Sequence, residues 1–400
     1  MKKQEDIEIL EEREQLFSEM IANGALRFED SRRSSGGNFR YSLQEVLLVW
    51  LCAMICGFKE YRDIEWYAGV KIDFFRRFFP YKYGRPSRST ISRVIAIINP
   101  EAMNNLLLAT ISNIRSERLS ECIEAQPIAL DGKTVCGLQA TKENRTKLHI
   151  VSAFDTAGGI TLAQAVVPEK SNEIIAIKSL LPSLAIEGRI LTIDAIGTQK
   201  DVTQIIRSGG GHYILAVKKN QSGLYHAIEA YFANKDNLAK LKPYETFDKG
   251  HGRIERRVCY ATDKATIWFE GEGWVDLKSV VMVKSTRTID ENSSSCIRYF
   301  ITDLAANPEH LLHAIRAHWD IESMHWTLDV TFNEDTRILW NKTISYNEAI
   351  ARRLVMNILR TFRETFRLRS KTEKVSYALL QKIMFAEDNK LESLLRGTFK

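Results

Sequence analysis

The spacing of apolar and polar residues changes character near residue 126. Before that point apolar positions recur at helical intervals and linkers are short, so residues 1–125 predict a helical N-terminal domain. Thirteen uncharged residues run from Val46 to Phe58. That is short of the roughly 20 needed to span a bilayer, and it predicts a buried helix. GRPSRSTISRVIAII predicts a turn followed by a helix start, with Ser87, Ser89 or Thr90 as the cap.

After Gln126 the runs shorten. QPIALDG, KLHIVSAFD and ITLAQAVV predict three strands, the last two joined by the turn signal Asp155-Thr-Ala-Gly-Gly. SNEIIAIKSLLPSL predicts a helix capped by Ser171, with Glu173 in its first turn and an end near Leu181 imposed by the proline. GRILTIDA and HYILAVK predict two more strands, with helices over 199–208 and 223–233. The order β-β-β-α-β-α-β-α predicts an α/β fold, a mixed sheet covered by helices on both faces. Residues 244–303 are strand-rich, through RIERRVCYAT, ATIWFE, LKSVVMVKSTR and CIRYFITDL, and read as an inserted or appended β region. A single long helix is predicted from Pro308 to Val330, and the chain from Asn347 onward is helical and basic.

A chain of 400 residues suggests two or three domains, and 44% hydrophobic with 26% charged residues excludes disordered, collagenous and coiled-coil classes. The six cysteines form no CxxC pair, which argues against a zinc ribbon and for reduced thiols. The charged N-terminus lacks the apolar segment of a signal peptide, so a cytoplasmic protein without a membrane partner is expected. The net charge of +6 is unevenly placed. No acidic residue lies between Phe74 and Pro100, where Arg76, Arg77, Lys82, Arg85, Arg88 and Arg93 fall. A second basic stretch runs from Arg360 to Lys374, and the first 19 residues carry seven acidic side chains against three basic ones. Arginines at a helix start suit DNA phosphates; a solvated basic surface is the other reading.

Asp131 and Asp194 each end a short apolar run, at the sheet edge where ligands gather. A divalent cation between two such carboxylates relieves their repulsion, whereas solvated turn residues would need none. A hard-cation site calls for a third carboxylate. Glu322 is the candidate, amid Trp319, Ile321, Met324 and Trp326, with Asp320, Asp329, Glu334 and Asp335 as rivals that spacing does not separate. His318, Glu322 and His325 share a helical face, so a zinc face competes with polar or DNA-contacting histidines. No GxSxG elbow occurs, and Gly209–His212 lacks the features of a phosphate-binding loop.

Several stretches together resemble the DDE transposases of bacterial insertion sequences, in the H-repeat-associated (ISAs-type) group. They are ALDGKTV at 129–135, LHIVSAFD at 148–155, EKSNEIIAI at 169–177, LTIDAIGTQK at 191–200, YILAVKKNQ at 213–221, HGRIERR at 251–257 and HWDIESMHWTLDVTFNED at 318–335. The resemblance covers about residues 40–385 and implies an RNase H-like catalytic domain over 126–340. It also implies a β-rich insertion at about 244–303, an associated helical domain over 1–125 and a basic helical region over 341–400. It carries the catalytic and metal-binding triad onto Asp131, Asp194 and Glu322, with two Mg2+ ions that Mn2+ can replace. It implies cutting at element ends and transfer of the cut strand, by a homodimer on DNA whose partners are terminal repeats and target. The expected DNA contacts are Lys133, Arg85, Arg88, Lys219, Asn220, Arg253, Arg316 and His318, with Trp319 or Trp326 stacking on a base or packing in the core. The chain departs from the pattern at Cys136, where the group has an arginine. Around the helix glutamate, Ile315, His318 and Asp329 stand where the wider clan has Tyr, Arg and Lys. A nuclease that cuts without joining, and an inactive DNA-binding remnant, are the alternative functions.

Overall fold

The computed structural model describes residues 39–116, 127–135, 148–167, 172–250, 252–290, 292–336, 341–369 and 375–395. The expected acidic N-terminal helix, the Ser171 cap, Cys136, Lys371 and Lys374 lie outside the described residues.

The N-terminal helices are α1 (Leu43–Ile55), α2 (Tyr61–Val70), α3 (Ile72–Phe75), α4 (Arg88–Ile97) and α5 (Pro100–Ser116). Helix α1 starts at a capping box: Ser42 accepts from the Glu45 amide and Glu45 reaches back to the Ser42 amide. Every residue of α1 but Gln44 is buried, which explains why its sequence shows no polar face. Each Leu, Ile or Val so enclosed contributes about 1.5–3 kcal/mol. Ser87 caps α4, accepting from the Thr90 amide.

The sheet contains β1 (Ile128–Val135), β2 (Leu148–Asp155), β3 (Ile160–Val166), β4 (Ile190–Ile193), β5 (His212–Val217), β6 (Tyr244–Gly250), β7 (Arg253–Thr262), β8 (Ser279–Ile289) and β9 (Asn292–Thr302). The spatial order is β3-β2-β1-β4-β5-β9-β8-β7-β6. β1, β4 and β5 are parallel, and every other pairing is antiparallel. The first five strands have the RNase H-like order. The strand-rich stretch is continuous with them, because β9 pairs directly with β5. ATIWFE forms a short 3-10 turn over Thr266–Phe269 rather than a strand: Thr266 caps back onto Asp263, and Ile267 and Trp268 face outward.

Helices α6 (Glu173–Leu180), α7 (Lys200–Ser208) and α8 (Ser222–Ala233) connect the strands, followed by α9 (Lys235–Ala239). A 3-10 turn at Leu181–Ser183 closes α6 at its proline. Beyond the sheet lie α10 (Pro308–Ala317), α11 (Asp320–Val330), α12 (Lys342–Arg369), α13 (Tyr377–Ala386) and α14 (Asp388–Leu395). Alternation along the strands divides the core. Ile190, Ile214, Cys259, Val281 and Phe300 meet Leu311, Leu312 and Ile315 of α10. Leu191, Tyr213, Val280 and Met282 join the larger core, which runs on into the helical layer.

The expected long helix is two helices, α10 and α11. At the joint Trp319 donates to Arg316 O, Ile321 to His318 O and Glu322 to Trp319 O, so the bonds tighten to three-residue spacing and the axis breaks. Helix α12 is not an exposed basic helix in its first half, where Arg352 and Arg353 are buried. It packs on α1, α4 and α5 and on β2 and β3. Asn347 donates to Ile95 O and Ile98 O, Tyr61 to Glu348, and Lys71 to Asp388. Residues 39–116, 341–369 and 375–395 thus form one layer. Among the described residues no helix is long and apolar enough to cross a membrane. Cys52, Cys56 and Cys259 are buried free thiols, and Cys296 is an exposed one.

Candidate active site

Asp131 lies in the middle of β1 rather than at its end, because pairing with β2 continues from Asp131↔Ser152 to Val135↔Leu148. Leu130 of β1 pairs with Ile193 of β4, so Asp131 and Asp194 occupy the next places along parallel neighbours. Asp194 caps a 3-10 turn over Ala195–Gly197, accepting from the Ile196 amide at 3.0 Å. Asn220 and Gln221 brace this turn: Asn220 donates to Ala195 O and Gln221 to Thr198 O, while Thr198 donates to Ala216 O. Asn220 therefore positions the Asp194 loop, a role its sequence context did not signal. Lys219 is exposed beside it.

Helix α11 packs on β1 and carries an exposed Glu322 in its first turn. His318, expected on DNA, is instead bonded through Nδ1 to Thr192 Oγ1 at 2.9 Å. Burial pushes it down to about 4, so it is neutral at the joint between α10 and α11. His325 is half-buried on α11 and pushed down to about 3 by that partial burial and by Arg353 and Lys133; its Nδ1 lies 3.7 Å from Asp131. Among the described residues, His318, Glu322 and His325 are not gathered into a ligating group.

The Asp131 carboxyl is pushed up to about 7, first by burial. The Gly132 amide opposes this, and the carboxylates of Asp194, Glu173 and Glu322 add to it. Glu173 is a fourth carboxylate that the pattern marked only as a helix start. It holds His149 at 2.6 Å, whose other ring nitrogen meets Thr134 Oγ1 at 2.8 Å. Gly132 permits this: a Cβ there would stand 2.6 Å from the Glu173 carboxyl carbon and 2.7 Å from His149 Nε2. Mutually repelling oxygen donors at one sheet edge fit a hard cation in chemistry. Among the described residues, however, no three His, Cys, Asp or Glu side chains are drawn into a ligating cluster.

Lys133, expected on DNA, is engaged by carboxylates of the protein itself. It points along β1 on the same face as Asp131, is 8% exposed, and its Nζ reaches Asp329 at 2.5 Å, Glu334 at 3.1 Å and Asp335 at 3.1 Å. Arg353, fully buried, holds the other Glu334 oxygen at 2.6 Å. Ile315 is a packing residue of the α10 core. The clan departure at Asp329 thus places a carboxylate where Lys133 needs one.

A cleft of about 1090 Å³ opens between β7–β9 and α10–α11. Arg253, Arg257, Arg287, Arg298 and Arg316 line it, with Trp319, Trp326 and Glu322. Arg257 is tied to Asp248 and Glu255. Arg253 meets Glu255 at 2.9 Å, and Arg316 is 3.9 Å from Asp248. Arg298 lies over the Trp319 ring at 4.8 Å, and exposed Arg287 has no ion-pair partner among the described residues. Trp326 is 63% exposed, so it is not a core residue. Sequence reasoning found Arg253 and Arg316 but missed Arg287 and Arg298, which only hairpin register brings to the same wall. Arg85 and Arg88 are exposed on the helical layer near Glu65, and neither lines this cleft.

This constellation sits in a chain whose residues 124–358 match the family model described as the transposase DDE domain. Residues 26–111 match the model of the domain associated with it. The chain belongs to the DDE transposase family. YncI of Escherichia coli O157:H7, named provisionally as a transposase, is 33% identical over 334 residues, covering 81% of this chain and 83% of that protein. YhhI of Escherichia coli strain K12, named provisionally as an H repeat-associated transposase, is 35% identical over 304 residues, covering 74% and 79%. Among solved structures, the piggyBac transposase synaptic complex with hairpin DNA aligns at a TM-score of 0.44 and 10% identity, covering 98% of this chain and 79% of that one.

Proposed function

We propose that this protein cuts DNA at the ends of an insertion element and joins the freed ends to target DNA. The supporting observation is the β1–β4 register, which sets Asp131 beside Asp194 with α11 and Glu322 against the same strand. Asp131, Asp194 and Glu322 would hold Mg2+, or Mn2+ in its place, and the ions would supply charge relief at phosphorus and a more acidic water. The chain's own residues do the rest. The arginine-lined cleft binds the phosphate backbone, and Trp326 offers a face on which a base can stack. Asn220 and Gln221 fix the Asp194 loop, and neutral His325 fills the space behind Asp131 without adding charge. In cutting, a water oxygen bonds to phosphorus as the P–O3′ bond breaks; the water loses a proton and the leaving oxygen gains one. In joining, the freed 3′-hydroxyl replaces water and a target P–O3′ bond breaks in exchange, so no energy source is required. Pairing two element ends calls for two copies of the chain on DNA.

The test uses a plasmid carrying the reading frame with its flanking DNA. The parent protein is expected to nick it with Mg2+ and not with a chelator, and Asp131→Asn to lose at least about a hundredfold in rate. Equal nicking by parent and variant would sink the reading. Nicked ends that never join would leave a nuclease.

A further inference from the structure

Helix α11 has a basic cavity on each side. The larger cleft is lined by Trp319 at the joint and by Asp320, Glu322, Ser323 and Trp326 of α11. A second cavity, of about 320 Å³, lies behind the same helix. Asp320, Ser323, Met324 and Thr327 form its near wall; Met356, Arg360 and Arg363 of α12, Tyr377 of α13, Phe154 of β2 and the β2–β3 turn at Thr156 and Gly159 form the rest. Asp320 and Ser323 border both spaces, two residues before and one after Glu322 in the first turn of α11. Arg316 on one side and Arg360 on the other both draw on the Asp320 carboxyl. Gly159 has φ of +65°, and a Cβ there would stand 2.9 Å from Arg360 Nε, so the turn must stay bare for the guanidinium to lie against it. Arg363 lies over the Tyr377 ring at 5.3 Å, and that ring packs on Phe332.

We infer that this rear cavity binds backbone phosphates of the DNA that receives the cut strand, with α11 as the partition between two DNA segments. This rests on the transposase reading. Joining requires two DNA segments at one set of carboxylates, and the two cavities flank the helix that carries Glu322. Their chemistry differs in the direction the two roles demand. The front cleft has an exposed tryptophan face and several Ser, Thr and Arg side chains, which can read or splay a fixed sequence. The rear cavity offers the Arg360 and Arg363 guanidinium groups, which share the Tyr377 hydroxyl, and Ser and Thr hydroxyls beside apolar Phe154, Met324 and Met356; its tyrosine ring is committed to packing. Contacts of that kind hold phosphate without reading bases, which suits a target that varies from one insertion to the next.

The experiment compares cutting of the flanking-DNA plasmid with joining of pre-cut ends to a second plasmid, using the full chain and Mg2+. Arg360→Gln with Arg363→Gln is expected to lower joining about tenfold more than cutting, as two charged phosphate contacts are lost. Arg360→Lys with Arg363→Lys should restore a large part of the joining, which separates lost charge from lost folding. Arg287→Gln with Arg298→Gln should lower cutting and joining alike. If the parent cuts and joins while the Arg360/Arg363 pair loses neither, or loses both equally even as lysines, the rear site is overturned and the transposase reading stands. A parent that leaves both DNAs intact overturns that reading and this one with it.

Discussion

At the residue scale, Lys133 joins three parts of the chain: the Asp131 strand, the end of the Glu322 helix through Asp329, and the turn at Glu334 and Asp335 that Arg353 also holds. Removing Lys133 leaves buried Glu334 with Arg353 alone and the half-exposed Asp329 and Asp335 crowded beside it, so Lys133→Met is expected to cost about 3 kcal/mol in urea unfolding. A cost near zero would mean the lysine is free for DNA after all. Glu334 gives the same cluster a pH signature. Burial raises its carboxyl, but Arg353, Lys133 and Arg352 overcome that and bring it from 4.5 to about 2. A depressed acid stabilises the fold fully above its unfolded value and loses that stability as pH falls. The parent should therefore weaken between pH 4.5 and 2, and Glu334→Gln should flatten that limb of a urea midpoint series. The sequence showed that Lys133 follows the first aspartate and that Asp329, Glu334 and Asp335 lie near Glu322. It did not show that these belong together, since pairing across about 200 residues leaves no trace in local spacing.

At the element scale, most strands and helices were legible because each buries one face or both, and the period of apolar residues reports that directly. Two elements were not. The α10–α11 break occurs without Pro or Gly, and depends on His318 bonding to Thr192 and on Arg298 lying over Trp319, both contacts from distant strands. ATIWFE has strand-forming residues but no neighbour to pair with, so it coils. The Asp194 loop shows the same dependence. Its short turn is held from outside by Asn220 and Gln221, which sequence alone could equally place on DNA. Asn220→Ala should slow cutting about tenfold with DNA affinity and its salt slope unchanged, because the side chain acts through the loop and not through phosphate. A weaker affinity with an unchanged rate of bound-state cutting would restore the DNA-contact role.

At the scale of the whole molecule, three expected regions are organised as a sheet and one helical layer. The nearness of Asp131 and Asp194 was readable once the order β-β-β-α-β-α-β-α was in place, because a parallel β1–β4 pair sets them at neighbouring places. Glu322 was singled out from its neighbouring carboxylates only by the family resemblance. The joining of the first and last parts of the chain was not readable, since α12 presents its basic residues in the sequence and its apolar ones only to partners 250 residues away. A chain stopped at residue 340 should lose the packing that covers α1, α4 and α5. It is expected to show no cooperative thermal transition and to be digested by trypsin through its helical N-terminus, while the full chain resists. A truncated chain that melts sharply would show that the N-terminal helices stand alone.

The link between Asn347 and the carbonyls of Ile95 and Ile98 spans about 250 residues of sequence. It has a consequence for the order of events during synthesis. The helices made first cannot finish packing until the helices made last have left the ribosome, so folding waits on completion of the chain. Any early stop then yields a product whose helical layer cannot close. Control over how often the full reading frame is translated becomes, for this architecture, control over how much folded transposase exists.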